Sequence, residues 1–426
     1  MNAPDTPSAD AALDGWLERL EVLHPKKIDM SLERVERVVS ALDLVEPPYR
    51  VLTVGGTNGK GSCVAYLETM YRQAGYRVAA YTSPHLWRFN ERIRLGGVEA
   101  TSADIIAAFE AIDRARGMTT LSYFEYATVA ACWLFAERGV DIAVLEVGLG
   151  GRLDAVNALD ADLALIASVD LDHQHWLGDT REAIGHEKAG IMRAARPAVV
   201  ADRQVPASVL AHAAAIGAQL RRLGRDFDLT RHADGSWDYR GVDAALASLP
   251  RPALPGEIQY DNAAACCAAI EALGTDLPVS RDAVAAALAS VELPGRLQRV
   301  PLGGVEWLFD VAHNPAAALR LAEELRRSPV PGRTLAVVGL MADKDRRGVI
   351  GPLEGLVDLW LVTRAATERA CAPAALLDTL AELGCAPARE VPLADARALA
   401  AAAAEPGDRV VVFGSFQVVG PVMAAL

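Results

Sequence analysis

The chain has 426 residues, 52% of them hydrophobic, with a mean hydropathy of +0.17. That is enough apolar matter for more than one core, so two domains are expected. A formal net charge of -13 and a pI near 5.2 exclude a broad basic surface for nucleic acid or anionic membrane, and leave small molecules as the expected partners. Cys63, Cys132, Cys266, Cys267, Cys371 and Cys385 form no C-x-x-C pair and no zinc spacing, which predicts free thiols in a reducing compartment.

In chain order, residues 1–20 show no basic stretch followed by an apolar one, and no apolar run is long enough to span a bilayer, so a cytoplasmic protein is expected; it is expected to act as a monomer. Short apolar runs at 51–54, 78–81, 142–147, 163–169 and 198–201 read as buried strands, each followed by a loop and helix-like periodicity. A break at Leu293, Pro294 and Gly295 precedes a second series at 307–311, 335–340, 359–363 and 410–413. The expected class is α/β: a P-loop-containing parallel-sheet ATPase domain over 1–292, then a smaller Rossmann-like α/β domain over 296–426.

The stretch TVGGTNGKGSCVAYL lies between the first strand and the next helix. Its glycines free backbone N–H groups to face a phosphate, the helix N-terminus adds positive potential, and Lys60 can reach the outer phosphates. The spacing is one residue short of the Walker pattern, and Gly61 separates Lys60 from Ser62. Phosphate chemistry calls for a divalent cation, and ligands gather at the carboxyl ends of strands. Glu146 ends an otherwise apolar strand, where a lone carboxylate is costly to bury without a cation. Asp170, Asp172 and His173 follow the next strand, which predicts Glu146 and His173 at adjacent strand ends, sharing one metal ion.

Of the 42 basic residues only five are lysines (Lys26, Lys27, Lys60, Lys188 and Lys344), leaving 37 arginines. A retained lysine is therefore more apt to serve where arginine cannot, as a compact ammonium or a deprotonatable amine. Lys188 in GHEKAGIMR is otherwise a plain helix-surface residue. In FDVAHNPAA, Asn314 can cap the helix begun by Pro315, which leaves Asp310 and His313 without a structural explanation.

The segments GTNGKGS, TSPHL with ERI, SYFE, EVGLGGRLDAVN, DLDHQHWLGDT, EKAGI, PGRLQ and DVAHNP, taken in order from about residue 28 to 416, resemble folylpolyglutamate synthase and its bifunctional bacterial relative dihydrofolate synthase, in the Mur ligase superfamily. The resemblance implies an ATP-dependent, ADP-forming amide ligase that joins a pteroate or folate carboxylate to the amine of L-glutamate through an acyl phosphate. It implies that Thr57, Asn58, Gly59, Lys60, Gly61 and Ser62 hold the ATP phosphates, that Ser83, Glu146 and His173 hold Mg2+, and that Lys188 is carbamylated. Asn262, Arg296 and Asp310 would complete nucleotide binding, with Asp310 and His313 near the glutamate side. The acceptor would meet Ile28, Asp29, Met30, Ser122, Tyr123, Phe124, Glu125, Leu153, Asp154 and Ala155. Two alternatives stand beside this reading: a peptidoglycan-type Mur ligase, disfavoured by Gly61 where threonine is usual, and a non-catalytic nucleotide-binding protein.

Overall fold

Residues 9–385 and 387–425 are described by the computed structural model. The first sheet contains Arg50–Gly55 (β1), Val78–Tyr81 (β2), Ile93–Leu95 (β3), Val98–Glu99 (β4), Ile142–Glu146 (β5), Leu163–Ile166 (β6), Pro197–Val200 (β7) and Gln219–Arg222 (β8). Their spatial order is β4-β3-β2-β5-β1-β6-β7-β8. It is parallel from β2 to β8, with β3 and β4 added antiparallel at one edge.

The parallel strands are apolar on both faces because helices cover both sides. One face packs against Lys60–Gln73, Ile258–Ala272 and Arg281–Ser290, the other against Ser102–Ala115 and Tyr123–Glu137. Every residue from Ser62 to Tyr71 is buried. The helix after the glycine loop is thus a core element, and burying each of its large apolar side chains contributes about 1.5–3 kcal/mol.

The strand order corrects one expectation. Glu146 and His173 do not lie at adjacent strand ends, because β1 pairs with β5 on one side and β6 on the other. They flank the glycine loop instead.

A small antiparallel sheet, Asp228–Arg231 (β9), Trp237–Arg240 (β10) and Ala245–Leu249 (β11), follows the first. The second large sheet contains Gln298–Leu302 (β12), Val305–Phe309 (β13), Thr334–Val338 (β14), Leu359–Val362 (β15), Ala388–Glu390 (β16) and Arg409–Phe413 (β17). Its order is β12-β13-β17-β14-β15-β16, with only the β12–β13 pair antiparallel. All six cysteines are unpaired. Among the described residues no helix is long and apolar enough to cross a membrane.

Candidate active site

Segments that follow β1, β2, β5 and β6 in the first sheet, and β13, β14 and β17 in the second, line one cleft of about 1080 Å³. This is where open parallel sheets gather ligands. The cleft wall includes Thr57, Asn58, Gly59, Lys60, Gly61, Ser62, Ser83, Tyr123, Glu146, His173, Lys188, Asn262, Arg296, Asp310 and His313.

The glycine loop is fixed from outside. Thr57 N–H donates to Ser168 O at 2.8 Å and Asn58 N–H to Ser168 Oγ at 3.0 Å, while Asp170 N–H donates to Thr57 Oγ1 at 2.9 Å. Gly59 has φ 88°, and a Cβ there would stand 2.9 Å from Asn262 Oδ1, so both conformation and space demand glycine. Asn262, itself buried, donates to Gln259 Oε1 at 3.1 Å, and Gln259 Nε2 reaches Ser62 Oγ at 3.3 Å. Lys60 curls over the loop, its Nζ donating to Gly56 O at 3.0 Å and Thr57 O at 3.2 Å. Desolvation lowers its pKa, opposed by the charge of Glu146.

Glu146 is buried, and its Oε2 accepts from Ser83 N–H at 3.2 Å. Burial raises its pKa, with Lys60, the Ser83 N–H and Arg296 acting against that rise. His173 is pushed down to about 4 by desolvation, so its imidazole is neutral at ordinary pH and free to ligate. No group of three or more His, Cys, Asp or Glu side chains suited to a metal ion exists among the described residues. A hydroxyl, one carboxylate and one imidazole therefore fit a divalent cation only if phosphate or water oxygens complete its shell, which is how magnesium is ordinarily held.

Lys188, on the helix Arg181–Ala189, is 4% exposed, not a surface residue. Burial, and then the charge of Lys60, bring its pKa down to about 7. Its amine has no hydrogen-bond or ion-pair partner among the described residues.

The second domain reaches the loop through Asn314 and its neighbours. Asn314 caps the helix Pro315–Arg327, its Oδ1 accepting from Ala317 N–H at 3.0 Å. The same amide exchanges hydrogen bonds with Asn58, at 3.2 and 3.1 Å, and donates to Asp172 Oδ2 at 3.0 Å. Asp172 also meets Lys344 Nζ at 2.5 Å and His313 Nε2 at 3.5 Å. Desolvation opposes ionisation of Asp172, but the His313 hydrogen bond and the charge of Lys344 outweigh it and hold the carboxyl well below its usual range. His313 Nδ1–H donates to Val311 O at 2.8 Å. Asp310 accepts from Leu297 and Ala312 N–H groups at 2.9 and 2.8 Å, and Arg296 stacks over Phe416 at 5.1 Å. Lys344 and Asp172 were not singled out as a pair in the sequence; the scarcity of lysine was the available signal for Lys344.

Leu86 packs into the apolar core of the second domain, and Trp87 Nε1–H donates to Gly420 O at 2.8 Å. A Cβ at Gly420 would lie 2.1 Å from Leu86 O, so this contact needs glycine.

Of the residues expected around the acceptor, Tyr123 lines the cleft. Ser122 and Glu125 cap their own helix reciprocally, and Glu125 also binds Arg34 at 2.6 Å. Asp29 is held by His24 and Arg34 at 3.3 Å and by Lys26 at 3.4 Å. Asp154 accepts from Leu149 and Val156 N–H groups, and burial raises its pKa to about 6. Phe124 packs near Tyr81, with ring centroids 6.0 Å apart, and Met30 lies against the core that contains Leu177. Ala155 is buried, while Ile28 and Leu153 are half-buried.

A glycine loop on one parallel sheet, faced by a second α/β domain carrying Asp310 and His313, defines an ATP-dependent ligase of the Mur class. Residues 54–270 match the Mur ligase middle domain, and residues 295–416 match the Mur ligase glutamate ligase domain. Dihydrofolate synthase/folylpolyglutamate synthase of Escherichia coli (strain K12) is 42% identical over 99% of this chain and 97% of its own length. The solved structure of E. coli FolC in complex with DHPP and ADP has a TM-score of 0.91 at 41% identity, covering 99% of each chain. The bifunctional enzyme from Yersinia pestis complexed with AMPPNP and Mn ion has a TM-score of 0.89 at 39% identity, again covering 99% of each. The chain belongs to the dihydrofolate synthase/folylpolyglutamate synthase family of ADP-forming glutamate ligases.

Proposed function

We propose that this enzyme is a cytoplasmic monomer that adds L-glutamate to both dihydropteroate and reduced folates. An oxygen of the acceptor carboxylate bonds to the γ-phosphorus of ATP as the bond to the β-phosphate breaks, releasing ADP. The neutral amine of glutamate then attacks the acyl carbon, phosphate leaves, and the amine's proton is lost. The observation that carries this reading is the convergence of Lys60, Glu146, His173 and Lys188 from one domain with Arg296, Asp310 and His313 from the other on a single cleft.

Two anions must meet in the first step, so positive charge and alignment are the main requirements. In this reading the loop from Thr57 to Ser62 cradles the phosphates, and Lys60 leaves its carbonyl partners for the outer phosphates. Asn262, Arg296 and Asp310 hold the rest of the nucleotide, and His313 faces the incoming amino acid. Ser83, Glu146 and His173 would hold magnesium, which when bound would neutralise charge between the carboxylate and the phosphates. The acceptor side is assigned to Tyr123 and to the segments 28–30, 122–125 and 153–155. The boundary between domains is placed at residues 293–295.

Lys188 is proposed to add CO₂ through its neutral amine, giving a carbamate and one proton. Its lowered pKa and lack of a partner support this reading. The acceptor assignment is tested by ADP release with dihydropteroate or with tetrahydrofolate as sole acceptor, in the presence of glutamate. Turnover with both is expected, and turnover with one would restrict the enzyme to that acceptor.

A further inference from the structure

The described residues include two buried arginines, Arg92 and Arg409. Arg409 is paired with Glu306 at 2.6 Å. Arg92, 8% exposed, has no ion-pair partner among the described residues, although a buried cation is costly when uncompensated. The acid beside it, Glu91, is committed elsewhere: its carboxylate accepts from the N–H groups of Leu86, Trp87 and Arg88, each at 2.7 Å.

Arg92 is nevertheless held firmly. Its guanidinium carbon lies 5.6 Å from the ring centroids of both Phe89 and Tyr123, and its Nε–H donates to His85 Nδ1 at 2.9 Å. An Arg nitrogen only donates, so His85 Nδ1 must be the acceptor and its ring is neutral. The full positive charge therefore remains. Arg92, His85 and Tyr123 all line the cleft, two residues from the Ser83 loop on one side and at the start of the helix Tyr123–Glu137 on the other.

We propose that Arg92 receives the non-reacting carboxylate of a glutamyl-bearing acceptor. This rests on the reading that both acceptors are used. A folate ends in a glutamate with two carboxylates, one that reacts and one that does not; dihydropteroate carries only the reacting benzoate. A planar guanidinium already braced on two rings and a histidine offers its terminal nitrogens as a preorganised fork for such a carboxylate. Arg92 is thus the residue that recognises the longer acceptor, and each further glutamate presents the same pair of groups to it.

The test compares kcat/KM for tetrahydrofolate and dihydropteroate in the wild type, Arg92→Met and Arg92→Lys. In Arg92→Met the loss should fall on tetrahydrofolate about tenfold or more beyond any loss on dihydropteroate, carried mainly by KM, and Arg92→Lys should recover part of it. A second measurement needs no variant: tetrahydrofolate with its non-reacting carboxylate amidated should lose a similar factor with the wild type, and should be insensitive to Arg92→Met. Equal losses on both acceptors, or an amide handled as well as the acid, would overturn the assignment of Arg92 alone. Wild-type enzyme inert towards tetrahydrofolate would overturn the two-acceptor reading and Arg92 with it. If dihydropteroate proved to be no substrate, the amide comparison would still decide the role of Arg92.

Discussion

Along the wall formed by β1 and its glycine loop, what faces the cleft is mostly backbone, one ammonium and a few buried amides, with Thr57 and Asn58 of the loop held by the segment after β6. Where the helix Tyr123–Glu137 begins, Tyr123 faces the cleft, and the carboxylates of Glu125 and Asp29 already belong to intramolecular pairs. Beside Tyr123, the buried cation Arg92 has no ion-pair partner among the described residues. The glycine-loop wall is specified by local backbone geometry, and is proposed above to take the nucleotide. The Tyr123 side, proposed above to take the acceptor, has Glu125 and Asp29 already engaged within the protein, which suits acceptors that share a ring system and differ at one end.

The sharpest way to break this contrast is Lys60→Ala. It should lower kcat by about a thousandfold or more, while the melting temperature changes little, since the loop stays pinned through Thr57 and Asn58. Near-normal rates would remove the phosphate role from the loop. Lys188 gives the next largest effect: Lys188→Arg, equal in charge but unable to form a carbamate, should lose about a hundredfold in kcat. Lys188→Ala should regain activity with short carboxylates in steady-state assays. An active arginine variant would return Lys188 to a packing role.

The contact between the two domains is probed by Asp172→Asn. It leaves Lys344, whose side chain is 7% exposed, with only Asp343 at 3.9 Å as a counter-charge, so a loss of about 3 kcal/mol is expected in denaturant titrations. By contrast Lys27→Ala, which removes a pair 70% and 91% exposed across the same domains, should leave the midpoint unchanged within error. Because the carboxyl of Asp172 is held below its ordinary value of 3.8, its contribution is complete above that pH and fades as pH falls further. The gap between wild type and Asp172→Asn should close in strong acid.

A further effect concerns pH alone. Lys188 has a folded pKa of about 7 against an ordinary 10.5, so the folded state resists its protonation and stability from this group rises with pH between those values. In CO₂-free buffer Lys188→Met should therefore be more stable than wild type below pH 7, with the gain shrinking to nothing as pH rises to 10.5. A stability gain that grew with pH would contradict the burial of a free amine.

Much of this was legible in the sequence, for physical reasons that differ by region. Buried parallel strands are apolar on both faces, so β1, β2, β5, β6, β7, β13, β14, β15 and β17 announce themselves as runs. Strands β3, β4, β9 and β16 are short, edge or polar, and carry charged residues such as Arg94, Glu99, Asp228, Arg231 and Glu390 that mask their pairing. The glycine loop was readable because neighbours in sequence build it. Asp172 with Lys344, and Arg92 with His85, Phe89 and Tyr123, depend on how distant elements are brought together, and residue type alone did not reveal them. The order of β5, β1 and β6 was hidden for the same reason, which is why Glu146 and His173 were expected side by side.

The central claim is that an acceptor carboxylate is phosphorylated in this cleft before glutamate attacks. It is tested most directly by labelling the acceptor carboxylate with heavy oxygen and following the label during turnover with ATP and glutamate. An acyl phosphate requires one labelled oxygen to depart with inorganic phosphate, alongside ADP, in each turnover. Unlabelled phosphate, or release of AMP and pyrophosphate in place of ADP, would contradict it.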